Sequence, residues 1–276
     1  MKEMQNYAND LRMLIIDMLT GAGSGHPGGS LSAADILTYL YFKEMNVDST
    51  KIDCPNRDRF VLSKGHAAPV LYGTLAMKGF INVQDLKNLR KLGSTLQGHP
   101  DMHKVPGVDM STGSLGQGFS ASVGMAIGSK LDKKDTRIYV LLGDGEVQEG
   151  IVWEAAMAAS HYQLDNLVAI IDHNGLQIDG PNDEVMKVSP LKEKWESFGW
   201  NTIEIDGHSF VDIQKGFMLA KEVEGKPTVI IAQTVKGKGI SFMENQVGWH
   251  GVAPSEQDRL KAFEDLKELN VEEGKQ

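Results

Sequence analysis

Cysteine occurs once in the 276 residues, as Cys54, which excludes a disulfide framework and any cysteine-based zinc site and fits a reducing compartment. No apolar run approaches the roughly 18 residues that a membrane-spanning helix needs. The first residues, Met1 to Asp10, are polar and acidic, unlike a secretory leader. A cytoplasmic location without a membrane partner is therefore expected. Positive charge is also scarce. The 28 Lys and Arg stand against 37 Asp and Glu, for a net charge of −9, whereas a nucleic-acid binder needs a basic footprint. Repeats and low-complexity tracts are missing, and no linker-like stretch breaks residues 20–250, so one large domain over 1–276 is expected.

Two familiar nucleotide motifs are absent as well. Neither Gly225-Lys226 nor Gly237-Lys238 has the spacing and following hydroxyl of a phosphate-binding P-loop. Gly23, Gly25 and Gly28 satisfy G-x-G-x-x-G, but a helical segment precedes them and Pro27 lies inside the pattern. A dinucleotide fingerprint needs a strand before its glycines.

What the chain has is alternation. Helical spacing covers residues 7–19, ending at Gly21, and Ser32 to Met45, with Ser32 as its cap. Small-residue helices are expected over Ala67–Met77 and Gly118–Lys130. Phe60–Leu62, Arg137–Leu142, Leu167–Ile171, Asn201–Ile205 and Thr228–Gln233 read as short buried strands. Helices at Ile151–Tyr162 and about 209–222 separate the later ones, and Ser255 caps a charged amphipathic helix to Leu269, with a frayed tail after Asn270. Strands alternating with helices predict an α/β fold: a mostly parallel sheet with helices on both faces, an N-terminal helical layer and a C-terminal helix.

Gly143-Asp144-Gly145 stands at the expected carboxyl end of one strand, and Asp172-His173-Asn174 at the end of the next. The interval is that of one crossover unit, about 30 residues. It would bring the Asp144 carboxylate and the Asn174 amide oxygen to one rim of the sheet, where ligands of such sheets collect. Hard oxygens of this kind suit magnesium or calcium held together with a phosphate. Gly145 lets backbone approach that phosphate, and a helix opening near Glu149 would aim its amides there. The plainer alternative is an ordinary strand-end turn.

The run GDGEVQEGIVWEAAMAASHYQLDNLVAIIDHNGLQIDG resembles the thiamine-diphosphate motif of transketolases. Other blocks match in order: SGHPGGSLSAADIL from Ser24, KGHAAPVLYG from Lys64, GHPD from Gly98, TGSLGQG from Thr112 and WHG from Trp249. Ser114 departs from the family pattern, where many relatives have Pro. The resemblance implies the thiamine-diphosphate-binding fold, specifically its diphosphate-binding domain, and transfer of a two-carbon ketol unit between sugar phosphates. A place in carbohydrate metabolism such as the pentose phosphate pathway is implied too. It further implies that Asp144, Asn174 and the Leu176 carbonyl bind Mg2+, for which Ca2+ or Mn2+ can substitute. Gly143, Gly145, His66 and His250 would lie at the diphosphate, Gly113 and Leu115 beside the aminopyrimidine, and Glu149 at a subunit interface near the cofactor. No lysine is expected to compensate for loss of Asp144.

Hydroxyl orientation and proton transfer favour histidine. His26, His66, His99 and His250 lie in matching blocks, flanked by Gly or Pro, and are assigned to the site. His103, His161, His173 and His208 are read as surface, helix-end, loop and turn residues. Trp153 and Met157 read as core or interface.

The family also uses a glutamate against the aminopyrimidine ring, carried on a pyrimidine-binding domain that is expected here on a separate chain. Glu146, Glu149 and Glu154 are too local to the diphosphate motif to replace it. The expectation is a split enzyme, with this chain as the N-terminal subunit and a separate C-terminal partner chain, assembled as an α2β2 heterotetramer. The alternatives are a deoxyxylulose-phosphate or dihydroxyacetone synthase, a split transferase acting on a sulfo- or branched sugar, and a non-catalytic metal-binding regulatory subunit.

Overall fold

The computed structural model describes residues 1–272, with side chains through residue 267. Helix α1 (Lys2–Ala22) buries Met4, Ala8, Leu11, Ile15 and Leu19 on one stripe and closes at Gly23, whose φ of 62° suits glycine. Two short helices follow, α2 (Pro27–Ser32) and α3 (Ala34–Tyr39), then a wide π-turn over Leu40–Glu44. The continuous helix expected from Ser32 is therefore broken, and Ser32 ends one piece instead of capping another. Its hydroxyl is engaged elsewhere, donating to the buried Asp172 carboxylate at 2.5 Å.

The remaining elements in order are β1 (Arg59–Leu62), α4 (Ala68–Met77), α5 (Gln117–Leu131), β2 (Ile138–Gly143), α6 (Gly150–His161) and β3 (Leu167–His173). A small hairpin of β4 (Leu176–Gln177) and β5 (Gly180–Pro181) comes next, then α7 (Asn182–Val185), α8 (Leu191–Ser197), β6 (Asn201–Asp206), α9 (Phe210–Lys221), β7 (Thr228–Gln233) and α10 (Glu256–Glu272). The hairpin and the two short helices after it are too brief to leave a periodic signal. Ser255 caps α10, accepting from the Asp258 amide at 3.2 Å. The helix runs past Asn270 to Glu272, and the rest of the expected frayed tail lies outside the described residues.

The main sheet has the order β1-β2-β3-β7-β6, and every pairing in it is parallel. Alternate residues serve its two faces. Tyr139, Leu141, Val168, Ile170 and Ile230 join a core with α1, α3, α4 and α9. Val140, Leu142, Ala169, Ile171, Val229 and Ile231 join another with Phe119, Val152, Trp195 and Trp200. The register pairs Gly143 with Asp172 and Asp172 with Ala232, so β2, β3 and β7 deliver their carboxyl ends side by side.

Candidate active site

The parallel register places Asp144 one residue beyond β2, directly beside the end of β3. Asp144 is 2% exposed; one carboxylate oxygen accepts from the Gly145 amide at 2.8 Å and the other from the Gly175 amide at 2.6 Å. Burial raises its carboxyl above the ordinary range, and the neighbouring Asp172 charge adds to this. Asn174 accepts from the Leu176 amide at 3.2 Å and donates to Asp172 at 3.1 Å. Burial alone would raise the Asp172 carboxyl as well, but the Lys64 ammonium and the Ser32 and Thr234 hydroxyls outweigh it and hold it low. Asp172 is thus committed to internal partners, while Asp144 faces a cavity.

His26 immediately precedes α2, His66 sits in the turn between β1 and α4, and His250 follows a turn at Val247–Trp249. Their rings converge. His26 lies 5.1 Å from His66 and 5.5 Å from His250, and His66 and His250 are 5.5 Å apart. His99 lies against Gly113, where a Cβ would come within 3.4 Å of its ring. Burial, then the Arg90, His99 and Lys236 charges, pushes His26 down to about 4. Burial and Lys236 take His250 to about 3. Burial and Lys64 hold His66 well below the ordinary range, and burial and Arg90 lower His99. These imidazoles are neutral at pH 7, each able to donate through one ring nitrogen and accept through the other. His26 Nδ1 is buried without a hydrogen-bond partner among the described residues.

All four histidines, together with Gly113, Leu115, Gly143, Asp144, Gly145, Glu149, Asn174 and Leu176, line one cavity of about 400 Å³. A larger groove of about 770 Å³, at the opposite ends of β1 and β2, contains none of them. Glu149 is exposed and makes no side-chain cap at the start of α6. A 3₁₀ turn over Gly145–Gln148 intervenes, so the turn and not α6 directly follows Asp144. Glu146 is buried and accepts from the Ser63 hydroxyl at 2.5 Å and the Gly116 and Gly143 amides at 2.8 and 3.0 Å. His103 lines the larger groove, His161 is exposed, and His173 contacts Gln233 at 2.9 Å. Trp153 packs on Trp195 and Phe198, whereas Met157 is exposed.

Three features escaped the sequence reading. Lys64 is buried, bonding Asp172 and the Gly29 carbonyl. Lys236 is also buried, donating to the Leu176 carbonyl at 2.9 Å and to His250 Nδ1 at 2.7 Å; burial pushes it down to about 8. The expectation that no lysine stands near Asp144 therefore fails, because the two charges interact within the same cavity. The third is His208, read as a simple turn residue, whose ring bonds Asp35 at 2.7 Å. Lys236 carried a usable signal: it is a charged residue just past a parallel strand, next to Gly237.

The residues fit a metal–diphosphate pair. Asp144, Asn174 and the Leu176 carbonyl offer hard oxygens, and the Lys236 ammonium on that carbonyl is a stand-in for positive charge there. Among the described residues no three His, Cys, Asp or Glu side chains gather into a metal cage. A divalent ion would need further oxygens, such as those of a phosphate. Two glycines allow close packing around these groups: a Cβ at Gly145 would stand 3.3 Å from Gln177, and one at Gly28 would stand 2.9 Å from the Lys236 side chain.

The chain resembles known proteins over most of its length. Residues 3–269 match the family model described as "Transketolase, thiamine diphosphate binding domain". The 6-deoxy-6-sulfo-D-fructose transketolase subunit of Clostridium sp. is 44% identical, covering 96% of this chain and 96% of its own. One of the apulose-4-phosphate transketolase subunits of Phocaeicola vulgatus is 44% identical over 96% of this chain and 94% of its own. Human transketolase is 47% identical over 91% of this chain, which spans 40% of that enzyme's length. The crystal structure of Campylobacter jejuni transketolase superposes with a TM-score of 0.92 at 36% identity, covering 97% of this chain and 43% of that one. The chain belongs to the transketolase family, as a member of its thiamine-diphosphate-binding domain.

Proposed function

We propose that this chain is the N-terminal, diphosphate-binding subunit of a two-chain transketolase that moves a two-carbon ketol unit from a ketose phosphate to an aldose phosphate. One observation carries the reading: every residue that the sequence selected for the site lines a single cavity at the carboxyl rim of the sheet. Relatives of matching length bear subunit names, which supports a separate partner chain.

Thiamine diphosphate, when bound, supplies the chemistry of breaking and making the carbon–carbon bond. Asp144, Asn174 and the Leu176 carbonyl would hold Mg2+, or Ca2+ or Mn2+ in its place, and Gly143 and Gly145 give the diphosphate room. Lys236 and His250 place a donor pair at its charged end. Gly113 and Leu115 form the wall on the aminopyrimidine side, and Glu149 stands at the mouth. His26 and His99, on the Arg90 side of the cavity, orient the sugar hydroxyls and carry protons, since a neutral imidazole can do both. The partner would bring the glutamate that faces the aminopyrimidine, in an α2β2 assembly.

A second reading keeps the chemistry and changes the sugar, because the two relatives of matching length are named for a sulfo-sugar and for apulose 4-phosphate. The test is to purify the chain with its candidate partner, measure ketol transfer to a panel of aldose phosphates, and weigh the complex. Activity that saturates at equal stoichiometry, in a particle of two heteropairs, is expected. Full turnover by this chain alone would overturn the two-chain reading, and a complex inert toward every donor would overturn the transketolase reading.

A further inference from the structure

Lys236 reaches the cavity from the loop after β7, and both sides of that lysine are pinned from outside the site. On one side the Val235 amide donates to His208 Nε2 at 2.8 Å. On the other, Arg12 Nε donates to the Lys238 carbonyl at 3.1 Å. A single buried carboxylate organises both pins: Asp35 Oδ2 lies 2.5 Å from Arg12 and 2.7 Å from His208 Nδ1. Arg12 comes from α1, Asp35 from α3 and His208 from the turn between β6 and α9, and none of the three lines the cavity.

The chemistry of the pin is specific. Nε2 of His208 accepts a backbone hydrogen bond, so the proton of the neutral ring resides on Nδ1, facing Asp35. Asp35 thereby fixes which nitrogen meets Val235. The loop itself turns sharply between the pins: Gly237 has a φ of 81°, and a Cβ there would fall 2.4 Å from the Met243 carbonyl oxygen. Lys236 has little freedom of its own, and its ammonium bridges Leu176 and His250.

We infer that His208, its ring oriented by Asp35, is a positioning residue: acting through the 235–238 loop, it sets where the Lys236 ammonium stands in the cavity, and so how tightly a diphosphate is held. The effect on diphosphate rests on the function proposed above; the clamp on the loop does not.

Two isosteres separate positioning from bulk stability. The amide of Gln reaches where Nε2 lies, so His208→Gln retains an acceptor for Val235. The amide of Asn reaches only where Nδ1 lies, so His208→Asn retains the bond to Asp35 and loses the loop. The first measurement is hydrogen–deuterium exchange on the full chain without ligand. The Val235 and Gly237 amides are expected to exchange about tenfold faster in His208→Asn than in wild type or His208→Gln, the equivalent of one lost hydrogen bond. Amides of β3 and β7 should keep their protection. The second is titration of the chain, complexed with its partner, with thiamine diphosphate at fixed magnesium. A half-saturation concentration raised about tenfold in His208→Asn only, with kcat at saturation unchanged, is expected.

Equal exchange in the two variants overturns the clamp, as does loss of protection spread evenly over loop and strands. A loosened loop with unchanged half-saturation overturns the link from clamp to ligand. If wild type itself binds no thiamine diphosphate while the loop responds as expected, the proposed function fails and the clamp stands.

Discussion

Lys236 Nζ stands 2.9 Å from the carbonyl oxygen of Leu176, one of the three oxygens assigned to a divalent ion. Under the proposed assignment a cation already satisfies part of that ligand set, and it would have to yield or share if a metal bound there. The arrangement changes what loss of the metal-binding carboxylate should look like.

Asp144→Ala is expected to weaken magnesium-dependent binding of thiamine diphosphate by about a hundredfold or more, the upper range for losses around metal sites. Binding should not vanish altogether, because Lys236 still faces the phosphates. Calorimetric titration with and without magnesium reads both parts. Unchanged affinity in the presence of magnesium would remove Asp144 from the site.

Alanine at His26 or His99 is expected to lower kcat/KM by about a hundredfold to ten-thousandfold, the span of general acid–base contributions. The half-saturating cofactor concentration should barely move, since neither ring bonds Lys236 or lies beside Asp144. Steady-state kinetics at saturating cofactor decides the matter. A variant with full kcat/KM has no role in proton handling.

Glu146 has three donors aimed at its two carboxylate oxygens. In Glu146→Gln an amide NH2 must face at least one of them, leaving a buried donor unsatisfied at a cost of about 1–3 kcal/mol. A urea midpoint lowered accordingly is expected, with the 111–116 loop loosened first. A midpoint equal to wild type would mean that the carboxylate is protonated and was already donating.

Asp35 supplies a pH dependence. Burial would raise its carboxyl, but Arg12 and His208 more than offset this and hold it below its ordinary value of 3.8. A depressed carboxyl stabilises the fold fully above its unfolded value, and the benefit is lost as pH falls through the lower folded value. The stability difference between wild type and Asp35→Asn should therefore be flat from neutral pH down to about pH 4 and shrink only below it. At neutral pH a broken buried pair costs about 3–5 kcal/mol. Chemical denaturation of both proteins across that range is the check, and a gap that narrowed already between pH 7 and pH 5 would contradict it.

Much of the fold was legible because buried parallel strands read as short apolar runs. Arg137–Leu142 and Leu167–Ile171 were placed within a residue or two of β2 and β3. The break between α2 and α3 was not legible, since Ser32 looks like a cap until a buried Asp172 is known to claim its hydroxyl. The site's acidic and histidine positions were carried by local glycine-flanked blocks. Lys64 and His208 were missed because their meaning lies in partners far along the chain. Lys64 meets Asp172 across 108 positions, and His208 meets Asp35 across 173.

The order of the strands has a consequence for how the molecule assembles. β7 is the last strand of the main sheet in sequence, yet it lies between β3 and β6. During synthesis the free edge of β3 has no neighbour until residues 228–233 emerge, and β6 has nowhere to pair before then. Closure of the sheet waits on its latest piece, and such non-local pairing is slow. Thr234 and Lys236 arrive with that same segment. The pocket therefore cannot be complete before the sheet is, and His250 follows later still, so no earlier intermediate has the full set of groups to hold a ligand, and ligand added during refolding should act only after β7 has docked.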